Sequence, residues 1–323
     1  MGETTRVGFI GVGLMGHGAA KNIIERGGYP LAILGHSNRR PVEDLIHRGA
    51  REASSLGELA RDSDVLILCL PSSNEVEALV YSNDGILANM KRGSVLIDTT
   101  TADPVISRRI GTALMANGVD MLDAALGRTP KEAETGTLST YVGGNAVVLA
   151  RVRPIIETYA DTIVHCGDLG TGTTCKLVNN SITIGMATLF AEGFATAAKV
   201  GVDLKALADV LSAGGADGKM WRMLEPWIRS GDDSHLRGPI RIAAKDVRAY
   251  SRMAENAESA IPVAQAVNQT LRLALNQGHA DAFLPVLPGI IANLNGAIIK
   301  RGLPWQFRLP VRQLHSKLDW YYA

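Results

Sequence analysis

The chain has 323 residues, of which 46% are hydrophobic and 20% are charged, and its formal net charge is +1. This composition is typical of a soluble globular protein with two domains, and the small net charge argues against nucleic acid or an anionic membrane as the main partner. Three cysteines, Cys69, Cys166 and Cys175, lack CxxC spacing and have apolar neighbours. They predict reduced core thiols in a cytoplasmic protein.

Short apolar runs alternate with helix-like segments through the first half of the chain. The runs cover residues 7–10, 31–35, 65–70, 95–98, 121–125 and 163–166. Ser55 and Glu58 have the spacing of a capping box, Asp103 precedes Pro104 as an N-cap, and a helix is predicted over residues 146–159. The alternation predicts an α/β fold whose first domain is a doubly wound Rossmann sheet of mostly parallel strands.

The first apolar run leads directly into a glycine-rich turn. The segment "VGFIGVGLMGHGAAKNII" places between a strand and a helix the residues Gly11, Val12, Gly13, Leu14, Met15 and Gly16. Gly11 permits a tight turn, Gly13 lets the backbone approach a pyrophosphate, and Gly16 lets the helix pack closely on the strand. This context predicts a dinucleotide site, and His17 is expected on the surface of the helix.

The end of the second strand discriminates between NAD and NADP. The segment "LAILGHSNRRPVEDL" carries no acid before Glu43. Donors and positive charge are supplied there by Ser37, Asn38, Arg39 and Arg40. Because a 2′-phosphate requires such groups, we predict a preference for NADP(H), with NAD(H) as the second coenzyme. The alternative is a solvated loop with two surface arginines.

Residues 123–144, "DAALGRTPKEAETGTLSTYVGG", are predicted to form a strand, a tight turn and a return strand. The turn holds Gly127, Arg128 and Thr129. A long cation in a position that suits small residues suggests a binding role for Arg128.

After Gly167 the pattern becomes helical. A helix of about 25 residues follows, apolar nearly all round, so we expect other helices or a second subunit to cover it. We predict a Rossmann domain over residues 1–168 and an all-α substrate and dimerisation domain over residues 169–323.

The tail contains Trp305, Trp320 and Tyr321, which predict packing on a partner subunit. The alternative is that the basic residues of the tail form a solvated face.

Candidate catalytic residues lie at the start of the long helix. In "TGTTCKLVNNSI", Lys176, Asn179 and Asn180 share one helix face. An ammonium beside an amide suits carbonyl reduction, because it stabilises and protonates the oxygen as hydride reaches the carbon. The alternative is an ordinary lysine in a first helical turn.

Six motifs occur in one order between residues 6 and 295: "GFIGVGLMG", "LCLPSSNEV", "LIDTTTADP", "DAALGRTPKEAETGTL", "GTGTTCKLVNN" and "IAAKD". With them the chain resembles the β-hydroxyacid dehydrogenase family. The resemblance implies that Lys176 is the catalytic acid/base and that Asn180 orients the substrate. The resemblance also implies that Leu70, Pro71 and Thr101 line the coenzyme site. It implies that Lys245 contacts the nicotinamide end of the coenzyme. Without the resemblance, Lys245 and Asp246 would be read as a surface ion pair.

The family usually has Ser-Gly-Gly where this chain has Gly127-Arg128-Thr129. The Gly-Arg-Thr version resembles the sulfolactaldehyde reductase branch, which implies a cradle for the anionic end of the substrate. Lys219 is implied as an addition to that pocket, because the branch has a similar Gly-Lys. The alternative is that Arg128 pairs with Glu132 or Glu134 and only ties the turn down.

These patterns together predict an NADP-preferring oxidoreductase of the 3-hydroxyisobutyrate dehydrogenase or semialdehyde reductase type. It is expected to interconvert a short anionic semialdehyde and its hydroxy acid by hydride transfer, without metal, as a homodimer or homotetramer. The alternatives are a sulfolactaldehyde reductase, an imine reductase and a non-catalytic dinucleotide-binding protein.

Overall fold

The computed structural model describes residues 5–299. They divide into two compact units, the first ending at Lys176 and the second beginning at Leu177. The domain boundary predicted between residues 168 and 169 stays a prediction. The packing predicted for Trp305, Trp320 and Tyr321 concerns residues outside the described range.

One sheet of eight strands, β1 to β8, forms the centre of the first unit. The strands span Val7–Ile10, Leu31–Leu34, Arg51–Glu52, Val65–Leu68, Val95–Asp98, Asp120–Gly127, Leu138–Gly143 and Ala160–Gly167. Their order across the sheet is β3-β2-β1-β4-β5-β6-β7-β8, and all neighbours are parallel except β6 and β7. The predicted doubly wound α/β fold is therefore confirmed.

Helices cover the sheet in the first unit. Helices α1 to α8 span Gly16–Glu25, Arg39–His47, Leu56–Asp62, Ser73–Tyr81, Ile86–Asn89, Pro104–Ala116, Pro130–Thr135 and Ala146–Ile156. Successive residues of β4 enter different cores: Ile67 packs in one apolar cluster, whereas Leu66 and Leu68 pack in another. This alternation explains why the central strands read as continuous apolar runs.

The predicted helix starts are real, with one difference in detail. Asp103 accepts the N–H of Val105 at 2.8 Å at the start of α6. Ser55 caps α3 by accepting the N–H of Glu58, but the Glu58 carboxylate accepts the N–H of Ser54, at 2.8 Å, instead of that of Ser55. The reciprocal bond of the capping box is thus made one residue earlier.

The connection between β6 and β7 is not the tight turn predicted from the sequence. The antiparallel return strand is present, but α7 lies between the two strands. Thr129 caps this helix, Glu132 bonds back to Thr129, and Pro130 occupies the first helical position. This combination of a capping box and proline was a helix signal that the turn prediction overlooked.

The second unit is all helical, as predicted. After α9, which spans Thr171–Lys199 and begins in the first unit, helices α10 to α14 span Leu204–Ala213, Lys219–Ser230, Ile240–Asn256, Pro262–Asn276 and Leu287–Leu294. Trp221 is fully buried against Phe190 and Phe194, with ring centroids 5.3 and 5.5 Å apart. Its Nε1–H donates to Ser212 Oγ at 2.9 Å, which satisfies the polar end of the ring.

Much of the apolar surface of α9 remains uncovered within the second unit. By length and composition alone the helix is apolar enough to cross a membrane, and 39% of its most apolar stretch is buried. Ile182 and Leu189 are 59% and 71% exposed. With Val263 of α13 they line an apolar groove of about 550 Å³.

The first turn of α9 packs directly on the strand backbones. A Cβ on Gly172 would lie 2.7 Å from the carbonyl oxygen of Asp123 and would also collide with that of Tyr141. We expect Gly172→Ala to lower the free energy of unfolding by about 1–3 kcal/mol, measured by urea denaturation. Gly193→Ala, in the same helix where a Cβ meets open space, should be neutral or stabilising by up to about 1 kcal/mol. Equal effects of the two substitutions would contradict the close contact.

Candidate active site

The glycine-rich turn between β1 and α1 has the geometry that a dinucleotide pyrophosphate requires. Gly11 has φ +94°, and a Cβ there would collide with the carbonyl oxygen of Cys69. A Cβ on Gly16 would collide with the carbonyl oxygen of Gly11, so α1 begins in direct contact with the turn. Gly13 has open space around its Cβ position, which leaves its backbone accessible to a ligand. The residues present therefore fit the predicted coenzyme.

The other residues of the turn divide between core and surface. Val12 is buried, whereas Leu14 and Met15 are half-buried. Met15 precedes α1 and makes no side-chain cap, so the first N–H groups of the helix are not capped by it.

The loop after β2 contains the residues predicted to choose the coenzyme. Ser37 and Arg40 are exposed, and Asn38 caps α2 by accepting the N–H of Arg40 at 3.3 Å. Arg39 donates two hydrogen bonds, at 2.6 and 2.7 Å, to Glu52 of β3. Sequence reasoning missed Glu52, because the two-residue strand that brings it here has no detectable pattern.

Two further loops at the same sheet edge are joined by hydrogen bonds. Leu70, after β4, donates its N–H to Thr100 Oγ1 at 3.1 Å, and Thr99 Oγ1 donates to the Leu68 carbonyl at 2.6 Å. Pro71 is exposed and Thr101 is half-buried. The carboxyl ends of parallel strands meet at one edge of a sheet, so these predicted coenzyme contacts share an edge with the glycine-rich turn.

Arg128 adopts a backbone conformation that favours glycine, with φ +73°. Its guanidinium donates to the Thr137 carbonyl, to Asp161 at 2.9 Å and to Thr162 Oγ1 at 3.0 Å. The bond from Arg128 lowers the pKa of Asp161. The ion-pair partner of Arg128 is thus Asp161 of β8. The alternative prediction named Glu132 or Glu134 as the partner.

The two neighbours of Arg128 also have structural partners. Gly127 is buried, and a Cβ there would collide with Ser139 Oγ of β7. The Thr129 side chain bonds to Glu132 within the capping box of α7. Both positions are therefore fixed by the strand pair and the short helix that follow them.

Lys176 is half-buried, one helical turn before Asn180 on α9. It is the last residue of the first unit, whereas Asn180 belongs to the second.

The three cysteines differ in exposure. Cys175, next to Lys176, is exposed, and Cys69 and Cys166 are half-buried. The prediction of three core thiols is therefore wrong for Cys175, because this residue is exposed.

A buried acid connects three polar residues in the second unit. Asp246 is 5% exposed; it accepts from Asn180 Nδ2 at 2.7 Å and lies 3.2 Å from Lys245 Nζ. Asn180 Oδ1 in turn accepts from Asn179 at 3.2 Å. Reading Lys245 and Asp246 as a surface pair is therefore wrong, because the Asp246 carboxylate is buried. Lys219, in contrast, is exposed at the first position of α11.

His17 is buried, so the expectation that it lies on the helix surface is wrong. Its Nε2 lies 2.8 Å from Asp44 Oδ2 of α2, and its Nδ1 lies 3.0 Å from Glu134 Oε1 of α7. Burial alone would lower the pKa of His17, but the hydrogen bonds to Glu134 and Asp44 outweigh burial and raise it. Since ionised carboxylates only accept, the imidazolium with two N–H donors satisfies both contacts. The sequence hid this contact because the helix that supplies Glu134 was predicted as a turn.

Two family models match the chain. Residues 6–167 match the NAD binding domain of 6-phosphogluconate dehydrogenase, and residues 170–283 match a domain described as NAD-binding of NADP-dependent 3-hydroxyisobutyrate dehydrogenase. Within residues 5–299, no group of three or more histidine, cysteine or acidic side chains has the arrangement of a metal site.

Known proteins resemble the chain over most of its length. The NAD-dependent L-serine dehydrogenase of Pseudomonas aeruginosa is 29% identical over 282 residues, 85% of this chain and 94% of the relative. The mitochondrial 3-hydroxyisobutyrate dehydrogenase of Mus musculus is 31% identical over 290 residues, 87% of this chain and 85% of the relative. A structure of Mycobacterium tuberculosis 3-hydroxyisobutyrate dehydrogenase with L-serine has the same fold, with a TM-score of 0.81 and 22% identity over 90% of this chain and 99% of that chain.

The fold, the glycine-rich turn and these matches define an NAD(P)-dependent oxidoreductase that acts on the hydroxyl group of a small hydroxy acid. The chain belongs to the β-hydroxyacid dehydrogenase family.

The His17 contacts predict a pH-dependent stability. A raised pKa means that the imidazolium stabilises the fold fully below the unfolded value of about 6.5, and that this stability is lost as pH rises through the folded value. We expect His17→Gln to lower the free energy of unfolding by about 1–3 kcal/mol at pH 6 and by less at pH 9, measured by urea denaturation. His47→Gln, at an exposed position of α2, is the control and should change neither value. A pH-independent loss in His17→Gln would exclude the charged pair.

Proposed function

We propose that the protein interconverts a short anionic semialdehyde and its hydroxy acid, with NADP(H) as the preferred coenzyme. Lys176 carries the proposal, because it is half-buried on a helix that begins in the same unit as the glycine-rich turn. The names of the two relatives support the substrate class. Serine and 3-hydroxyisobutyrate share a hydroxymethyl group one carbon away from a carboxylate.

In the proposed mechanism each protein residue has a defined task. A nicotinamide coenzyme, when bound, would supply the hydride-transfer chemistry between the carbonyl carbon and the alcohol carbon. Lys176 gives a proton to the carbonyl oxygen as negative charge grows there, and it takes the proton back in the oxidation direction. Asn180, with its amide nitrogen directed to Asp246, offers an oxygen that accepts a hydrogen bond from a hydroxyl group.

The preference for NADP(H) rests on the loop after β2. Ser37 and Arg40 are exposed, and Asn38 lies between them at the start of α2. Glu52 pairs with Arg39 through two hydrogen bonds, so the charges of these two side chains offset each other. The Ser37 hydroxyl, the Asn38 amide and the Arg40 guanidinium are groups that favour a 2′-phosphate over a bare ribose.

Arg128 favours a second candidate substrate, an aldehyde that carries a sulfonate. Three of its five N–H donors bond to protein groups of the described chain. The donors that remain suit one face of a carboxylate or a sulfonate. A backbone cost on the order of 1–2 kcal/mol for the left-handed conformation is consistent with a residue kept for function.

The remaining alternatives make different demands on the chain. An imine reductase acts on C=N bonds and does not depend on the lysine, so Lys176 argues against it. A non-catalytic dinucleotide-binding protein would bind coenzyme and turn over no aldehyde.

We also propose a homodimer in the cytoplasm. The apolar groove lined by Ile182, Leu189 and Val263 is large enough to require cover. A second copy of α9 supplies matching apolar surface.

Substitution of Lys176 tests the proposed reaction. NADPH and NADH oxidation is measured with succinic, tartronate and methylmalonate semialdehydes, glyoxylate and sulfolactaldehyde. Lys176→Met should lower kcat/KM by roughly 10²–10⁴-fold, the usual contribution of a general acid, and leave the coenzyme Kd within about twofold. Lys199→Met, in the last turn of the same helix, is the control and should keep full activity. Full turnover in Lys176→Met, or none of any aldehyde in the native protein, would reject the proposal.

Substitution of Arg128 tests its contact with the substrate. Arg128→Gly removes the guanidinium and suits the left-handed backbone. We expect KM for an anionic aldehyde to rise by roughly 10–100-fold, the equivalent of a charge-assisted hydrogen bond, and KM for a neutral aldehyde to stay constant. Asp161→Asn removes the ion-pair partner and keeps the guanidinium, so it should leave KM unchanged. If both variants lose only thermal stability, Arg128 is a structural tie.

A further inference from the structure

Two buried carboxylates lie side by side where β5 ends. Asp98 is 1% exposed and Asp123 is fully buried. The two residues are in register on the neighbouring parallel strands β5 and β6, so their side chains leave the sheet on the same face. The roles assigned above to the candidate site use neither of them.

Asp123 holds the start of α9. One carboxylate oxygen accepts the N–H of Gly170 at 2.6 Å, and the other accepts the N–H of Thr173 at 2.6 Å. Amides at the start of a helix have no partner within the helix, and the helix dipole favours a negative charge beside them. Lys176 follows Thr173 by three residues, so Asp123 fixes the turn that leads into it.

Glycines bring the helix start within reach of Asp123. A Cβ on Gly143 would lie 2.7 Å from the carbonyl oxygen of Asp168 and 2.8 Å from the nitrogen of Gly172. The first turn of α9 therefore packs against the strand backbone with no space for a side chain. Close packing and two hydrogen bonds together define where this turn lies.

Asp98 holds the adjacent loop. Its Oδ1 accepts the N–H of Thr100 at 2.9 Å, and Thr100 Oγ1 accepts the N–H of Leu70 at 3.1 Å. Thr101, a predicted coenzyme contact, is the next residue. Asp98 thus acts on the ends of both β4 and β5 through a single threonine.

The charges of the pair are unequal. Burial raises the pKa of Asp98 to about 6, and the negative charge of Asp123 adds to the rise. Burial also raises the pKa of Asp123, but the N–H donors of Thr173 and Gly170 oppose this rise. A further titratable group close to Asp123 is Cys166 of β8, because the negative charge of Asp123 contributes to the raised pKa of its thiol. Asp123, with two backbone donors, is the better position for the negative charge.

We propose that Asp98 and Asp123 are positioning residues: Asp123 fixes the turn of α9 that leads to Lys176, and Asp98 fixes the loop that carries Thr101. The inference rests on the proposed function, because it assigns the pair to the reaction in which Lys176 exchanges a proton.

Asp123→Asn tests the position of α9, because it keeps the shape and replaces one acceptor with a donor that faces an N–H group. We expect kcat to fall by roughly 10–100-fold, the equivalent of one charged hydrogen bond, while aldehyde KM and coenzyme Kd stay within about twofold. Amide hydrogen exchange of residues 170–173, measured by mass spectrometry, should become faster. Asp120→Asn is the matched control on the same strand, where the acid bonds Arg151 at the surface at 2.8 Å, and it should change none of these values.

Hydrogen exchange separates this inference from the proposed function. A native protein that reduces no aldehyde defeats the proposed function, and exchange at residues 170–173 still decides whether Asp123 holds the helix. Unchanged exchange and unchanged kcat in a folded Asp123→Asn variant would overturn the role of Asp123.

Asp98→Asn is the second variant and tests the buried charge beside Asp123, whether or not Asp123→Asn folds. The amide oxygen still accepts from Thr100, and a charge beside Asp123 is removed. Because the raised pKa makes ionised Asp98 destabilising above about pH 6, the variant should gain more in Tm at pH 8 than at pH 5. An equal change in Tm at both pH values would exclude a destabilising negative charge on the buried Asp98.

Discussion

Direct packing of helix starts on the backbone of the sheet and of the turn that leaves it is the constraint on which the first unit depends. It occurs where α1 meets the turn after β1, and again where α9 meets β6 and β7. Gly16 and Gly172 are the helix residues at these contacts, and a Cβ on either would overlap a carbonyl oxygen. Only a residue without a side chain brings unpaired helix N–H groups so close to a sheet edge. The first contact shapes the dinucleotide turn, and the second supports the helix that carries Lys176.

Asp98, Asp123 and Asp246 are buried acids that act as hydrogen-bond acceptors. Asp98 and Asp123 accept backbone N–H groups, and Asp246 accepts the side-chain amide of Asn180. A buried carboxylate without such donors would be strongly unfavourable. Each acid therefore restricts the loop, helix turn or amide to which it bonds, and that restriction is what a catalytic geometry requires.

Arg128 combines two demands that usually fall on different residues. Its backbone is left-handed, which suits glycine, and its side chain links the β6–α7 connection to the start of β8. A glycine here would satisfy the backbone and lose the cation. The arginine therefore adds a cation and three hydrogen bonds to a connection whose backbone would suit glycine.

The sequence by itself determined the parallel sheet, the glycine-rich turn, the all-helical second unit and the α9 face that carries Lys176 and Asn180. These features follow from local periodicity and from the backbone geometry that particular residues allow, so they can be predicted from local stretches of sequence. Tertiary structure decided that His17 is buried, that Arg39 meets Glu52, that Arg128 meets Asp161, and that Asp123 reaches the start of α9. Each of these contacts joins residues at least 13 positions apart. Such partners are chosen by how strands and helices pack, and that information is not present in any local stretch of sequence.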